Sequence, residues 1–203
     1  MNAPHALLPG SRDPERLLTE ALAAWGGEGD AWVFGYASLI WKPEFDSVED
    51  RPAAVYGWHR ALTMRSRVNR GTPECPGLVF ALVGGGSCRG RAYRVERSRV
   101  ESELRQLWGR EMPTGVYDPK WLLCRTPQGV VRALAFTLNR KSPSHTGPVP
   151  DAQMVEILRS ANGRYGSTLS YLVETATSLR NCGIRDRDIK QLINLTHHNT
   201  LTT

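Results

Sequence analysis

The ten residues from Trp32 to Trp41, Trp-Val-Phe-Gly-Tyr-Ala-Ser-Leu-Ile-Trp, constrain this chain more than any other stretch. They begin as an apolar strand, break into the small and hydroxyl residues Gly35, Tyr36, Ala37 and Ser38, and turn apolar again at Leu39, Ile40 and Trp41. A buried strand has no need of a small polar interruption. A strand ending in a loop of free backbone N–H groups does, because such a concavity can hold a carboxylate or phosphate. A strand followed by an ordinary tight turn reads equally well from these residues alone.

The chain has 203 residues, long enough to bury a real core, and we expect residues 1–10 to be disordered and 11–203 to form a single domain. No run approaches the ~20 apolar residues needed to cross a bilayer. With no charged-then-apolar segment at the N-terminus, a cytoplasmic protein is expected. The net charge of +6 invites a nucleic-acid partner, but the basic residues are scattered and do not alternate with aromatics as a base-stacking platform requires. A modest positive field suits small anions equally well. The cysteines Cys75, Cys88, Cys124 and Cys182 stand far apart, without the spacing of a zinc site, and read as reduced structural thiols.

Along the chain, Ser11 or Asp13 caps a helix whose apolar stripe, Leu17, Leu18, Ala21, Leu22 and Trp25, stops at Gly26-Gly27. Residues 42–52 read as a surface excursion and 53–66 as a strand. The segment Val68–Gly77, with two prolines and two glycines, reads as a long shaped loop of the kind that often serves as a lid. Leu78–Val83 and Cys88–Val95 read as a hairpin turning at Gly84–Gly86. A helix over Ser98–Met112, strands over Tyr117–Arg125 and Val130–Leu138, a surface linker over 139–150 and three C-terminal helices complete the order. Strands in the middle, one helix among them and helices at the end indicate an α+β fold with a curved or barrel-like sheet.

Glu111 carries the clearest chemical signal outside the loop. In the helix Ser98–Met112 the stripe Val100, Leu104, Leu107 and Trp108 continues to Glu111, which puts a carboxylate on the buried face near the helix C-terminus. Burial and the helix dipole both raise a carboxylate's pKa, as a general base or acid requires. An ion pair with Arg110 or another arginine, or a frayed helix end, accounts for the same spacing. Tyr36 and Tyr117 could each offer a phenolic O–H or be half-buried core aromatics. Arg65, Arg67 and Arg70 lead into the long loop and could pair with carboxylates or simply be solvated. Ser38 lacks the Gly-x-Ser-x-Gly frame of a serine hydrolase, and no Walker sequence, Rossmann fingerprint or metal-ligand set is present.

Several motifs in register add up to a known pattern. Phe34–Trp41, Gly57-Trp58-His59-Arg60, Arg70-Gly71-Thr72-Pro73-Glu74, Pro76-Gly77-Leu78, Gly90–Val95 and Arg110-Glu111-Met112 closely resemble the ChaC-like gamma-glutamylcyclotransferases of the glutathione-specific branch. Tyr171-Leu172 and Gly183-Ile184-Arg185-Asp186 resemble that family's tail, so the likeness spans about residues 30 to 195. The resemblance implies a small mixed β-barrel with surrounding helices. It also implies conversion of glutathione to 5-oxoproline and cysteinylglycine, with no metal or organic cofactor. It maps the glutamyl-holding loop onto Tyr36, Ala37, Ser38 and Leu39, and the catalytic glutamate onto Glu111. Tyr117 or a backbone N–H would then stabilise the oxyanion, and Arg70 with the loop through Glu74 would cover the cysteinylglycine half. Alanine stands at position 37 where the family pattern has glycine, which costs on the order of 1–2 kcal/mol if that position needs φ > 0 and little otherwise. Other gamma-glutamyl amino acids or amines are the rival substrates. A basic nucleic-acid-binding module, supported by pI alone, is the rival from another class.

Overall fold

A computed structural model describes the backbone of residues 12–198 and the side chains of residues 12–196. The expected disorder of residues 1–10 and a cap at Ser11 lie outside the described residues. Helix α1 (Pro14–Trp25) starts at Asp13, whose side chain accepts from the Glu15 N–H, and stops at Gly26 with φ of 89°. Strand β1 (Ala31–Gly35) follows, and then a single helical turn, α2 (Ser38–Trp41). Strands β2 (Glu49–Ser66) and β3 (Gly77–Val95) come next, then helix α3 (Val100–Glu111) and strands β4 (Asp118–Thr126) and β5 (Gly129–Thr137). Helix α4 (Asp151–Ser160), the two-residue strands β6 (Asn162–Gly163) and β7 (Gly166–Ser167), and helices α5 (Thr168–Asn181) and α6 (Arg187–His198) end the chain.

Five strands close into a mixed barrel in the order β1-β3-β2-β4-β5. Neighbours in that order run antiparallel, and the barrel is sealed by a parallel pairing of β1 with β5, Trp32 opposite Ala133 and Val33 opposite Leu134. The expected α+β barrel is the observed one.

Two details differ from the sequence reading. Glu49–Pro52, expected in a surface excursion, already pair with β3, so β2 begins four residues before Ala53. The Gly84–Gly86 run is not a hairpin turn. β3 passes straight through it, paired with β2 from Glu49↔Arg94 to Ser66↔Gly77. Gly85 and Gly86, both at positive φ, together face Gly57 in a bulge. Glycine's tolerance of left-handed φ serves a bulge as well as a turn, and the length of the partner strand decides which forms.

Strand alternation divides the core. Val33 packs with Leu17, Leu18, Leu104, Leu107 and Trp108 from α1 and α3. Its neighbour Phe34 points the other way, into a cluster with Leu82, Ala133, Leu158 and Leu172. The chain leaving β1 therefore emerges between two packed bodies, with Tyr36 and Ala37 in one and Leu39 in the other. Among the described residues no helix is long and apolar enough to cross a membrane.

Candidate active site

The loop after β1 is held by its carbonyls. The Tyr36 carbonyl accepts from the guanidinium of Arg60, the Ala37 carbonyl from the Ile40 N–H at 2.9 Å, and the Ser38 carbonyl from the Lys42 N–H at 2.8 Å. Buried Tyr93 donates its hydroxyl to the Leu39 carbonyl at 2.9 Å. With these four acceptors engaged, the unpaired groups at the start of the helical turn are its first N–H groups. Gly35 permits the tight approach, because a Cβ there would lie 2.9 Å from the Tyr93 ring. Ala37 has φ of −140°, so its methyl meets none of the left-handed cost that a positive φ imposes.

Facing this loop is Glu111, the last residue of α3. Its side chain is 16% exposed, and its Oε1 lies 3.1 Å from Arg110 Nε. Periodicity and the ion-pair alternative both describe it: the carboxylate lies on the inward side of α3 and is also paired. Burial pushes the Glu111 carboxyl above its ordinary value, Arg110 pulls it back, and the negative charge of Glu44 adds to the rise. The helix stops here because Pro113 and Gly115 follow, with the Gly115 N–H closing onto the Met112 carbonyl at 3.1 Å.

Three buried tyrosines surround the carboxylate, all with their phenols pushed upward first by burial and also by the Glu111 charge, so each stays protonated at neutral pH. Tyr36 donates its proton to the Phe136 carbonyl at 2.9 Å. Tyr117, which reaches the pocket from the segment between α3 and β4, interacts with the Tyr36 side chain. Tyr171 on α5 accepts from the Phe80 N–H at 3.3 Å, which leaves its own proton available to donate. Tyr36, Ala37, Ser38, Leu39, Glu111 and Tyr117 thus line one pocket, walled further by Phe80, Phe136 and Tyr171. Its volume is about 20 Å³, close to the room for one water.

Arg70 does not line that pocket. It lies behind it, donating to the Tyr165 carbonyl at 2.6 Å and placing its guanidinium carbon 5.0 Å from the Tyr171 ring centre. The 67–76 loop docks on the β6–β7 turn, with the Arg164 N–H on the Val68 carbonyl and the Tyr165 N–H on the Asn69 carbonyl.

Tyr171, Phe136 and the Arg60–Asp186 pair were missed by sequence reasoning as parts of the site. Tyr171 is legible in hindsight as the hydroxyl on the α5 stripe with Leu172, Thr175 and Leu179. Phe136 gives no signal beyond that of a core strand. Among the described residues no group of three or more His, Cys, Asp or Glu side chains is placed to hold a metal ion.

A family model described as ChaC-like protein matches residues 31–199. The glutathione-specific gamma-glutamylcyclotransferase of Escherichia coli strain K12 is 34% identical over 177 residues, covering 87% of this chain and 77% of that protein. The glutathione-specific gamma-glutamylcyclotransferase 1 of Mus musculus is 32% identical over 178 residues, covering 84% and 79%. In three dimensions the chain superposes with a TM-score of 0.76 on a crystal structure of a gamma-glutamyl cyclotransferase specific to glutathione from yeast. That pair is 19% identical, and the match covers 84% of this chain and 97% of the other.

Proposed function

The chain belongs to the ChaC-like family, and we propose that it is a glutathione-specific gamma-glutamylcyclotransferase, releasing 5-oxoproline and cysteinylglycine. The observation that carries this reading is the half-buried Glu111 carboxylate facing the 36–39 loop across a pocket of protonated tyrosines.

The substrate carries its own nucleophile. Its α-amine attacks the γ-carbonyl and closes a five-membered ring, so holding the folded conformer supplies much of the acceleration. An α-amine has a pKa near 8 and cannot attack as an ammonium. Glu111, its own pKa raised by burial, takes a proton from the ammonium so that the amine can attack, and passes it to the departing cysteinyl nitrogen. The second proton that the attacking nitrogen sheds on becoming the lactam N–H follows, so cysteinylglycine leaves as an ammonium. One C–N bond forms, one breaks, and no water or electron is consumed. The N–H groups of Ala37, Ser38 and Leu39 receive the glutamyl α-carboxylate. Tyr117 or Tyr171, as a neutral phenol, donates to the oxyanion. Arg70 acts from behind, stacked on Tyr171. The reaction asks for no metal or organic cofactor.

Residues from 11 onward act as one domain, in the cytoplasm, on a small molecule. The absence of a nucleic-acid role fits the way the arginines are spent, as in Arg94 with Asp30 and Glu49, and Arg91 with Asp50.

Purified protein incubated with reduced glutathione should give 5-oxoproline and cysteinylglycine in equal amounts, without added metal or nucleotide. Glu111→Gln should lose turnover by about 10²–10⁴ while still binding glutathione. Product from other gamma-glutamyl compounds but not from glutathione would move the protein to a sister specificity. A fully active Glu111→Gln enzyme would overturn the mechanism.

A further inference from the structure

Arg110 lies between two cavities. On one side its Nε meets Glu111 Oε1 at 3.1 Å and its NH2 donates to Ser38 Oγ at 3.1 Å, both in the narrow pocket. On the other side a wider cleft of about 730 Å³ opens, lined by Glu44, Asp46, Arg99, Glu103, Gln106 and Arg110 itself, with Arg99 paired to Asp46 and Glu103. There the Arg110 NH1 meets Glu44 Oε2 at 3.0 Å and also donates to the Lys42 and Pro43 carbonyls.

Glu44 is unusual in its backbone. Its φ of 55° makes it the non-glycine residue at positive φ among those described. A glutamate in that region is uncommon, and such conformations persist where surrounding contacts hold them. Two contacts do so: the Gln106 side-chain amide donates to the Glu44 carbonyl, and Lys42 Nζ reaches Glu44 Oε1 at 2.9 Å. The side chain is nevertheless 45% exposed, so water can replace its half of the pair.

We propose that Glu44 is a placeholder for a substrate carboxylate. In the free enzyme it occupies the Arg110 guanidinium, and the glycyl carboxylate of glutathione displaces it on binding.

This rests on the reading of the protein as a glutathione cyclotransferase. The other cations around the pocket are committed. Arg60, with 2% of its side chain exposed, is bound to Asp186 and to main-chain carbonyls, and Arg70 lies behind Tyr171. Arg70 also meets an exposed carboxylate, Glu174 at 3.7 Å, but it lines neither cavity, and of these three Arg110 alone lines the wide cleft beside Glu111. The reach also fits, since two extended residues span at most about 7 Å, more than the 3.1 Å that separates Arg110 from Glu111. With Nε and NH2 taken by Glu111 and Ser38, the incoming carboxylate takes the charge-assisted NH1 contact that Glu44 vacates.

The test compares glutathione with its C-terminal glycinamide, which keeps the γ-glutamyl end and loses only the distal charge. Wild-type protein should favour the acid by about tenfold in kcat/KM, a charge-assisted pair's worth. Glu44→Gln should lower KM for glutathione several-fold and leave KM for the amide unchanged. Arg110→Gln should erase the preference, and Arg110→Lys should keep part of it. Asp46→Asn, which removes another acid of the same cleft, should leave the ratio alone and so separates displacement from a general change of field. Equal responses of acid and amide to every substitution would overturn the proposal and hand Arg110 a purely structural or α-carboxylate role. A wild-type protein inert towards both substrates sinks the underlying reading instead, whereas turnover without an acid–amide difference sinks the placeholder alone.

Discussion

Arg60 and Asp186 stand 126 positions apart in the chain and meet through two hydrogen bonds, Nε and NH2 to Oδ2 at 3.2 and 2.7 Å. The same guanidinium holds the Tyr36 carbonyl, and the other oxygen of Asp186 accepts from the Ile189 N–H at the start of α6. The C-terminal helix is therefore fastened to the loop that begins the candidate active site. Removing one partner strands the other: Asp186→Asn should cost about 3 kcal/mol, visible as a melting temperature lower by roughly 10 °C. Because the loop is positioned through this pair, the surviving folded enzyme should show a raised KM for glutathione. An unchanged melting temperature and KM would show that the loop is held by its other contacts alone.

Acid should silence the enzyme before it unfolds it. In the proposed mechanism Glu111 must be ionised to accept a proton, and burial holds its carboxyl above the ordinary 4.5. The acid limb of kcat/KM should accordingly fall off at a pH above that value and vanish from the residual activity of Glu111→Gln. The same shift has a stability consequence of opposite convenience. A carboxyl whose folded pKa is raised favours the fold while protonated and loses that contribution as pH rises through the raised value. Glu111→Gln should therefore be more stable than wild type at neutral pH, with the gap closing as pH falls through the raised value and gone by about 4.5. Parallel melting curves at every pH would argue that the carboxylate is better solvated than its surroundings suggest.

Ala37→Gly should change little. With φ at −140° the alanine carries no left-handed penalty, and glycine adds backbone freedom to a loop whose four carbonyls are already tied. Activity within about threefold of wild type is expected, since exchanging alanine for glycine shifts stability by only about 1 kcal/mol. A large gain in turnover would mean that the methyl group crowds the substrate.

Tyr171→Phe separates the two candidate donors. The ring, and with it the stacking of Arg70, survives, while the hydroxyl that meets the Phe80 N–H is lost. If this phenol stabilises the oxyanion, kcat should fall by about 10²–10³ with KM nearly constant. A fall confined to Tyr117→Phe would assign the role to that residue.

Much of this was legible in the primary structure, for physical reasons that can be named. The break in apolar character at Gly35–Ser38 marked the loop because a strand interior has no use for it. Glu111 announced itself because a 3.6-residue period leaves no choice of face once Val100, Leu104, Leu107 and Trp108 are set. Asp13 and Gly26 bounded α1 by capping chemistry that acts within a few residues. Each of these depends on local spacing, and local spacing is what a sequence displays. Tertiary structure decided the rest. The Gly84–Gly86 run became a bulge because a partner strand of 18 residues lay alongside it. Arg70 went behind Tyr171 because the 67–76 loop docks on a turn nearly a hundred residues later. Arg110, Glu44, Arg60 and Asp186 acquired roles only when the closed barrel brought distant segments within hydrogen-bond reach. Period and capping fix which way a side chain faces; only the packed fold fixes what it faces.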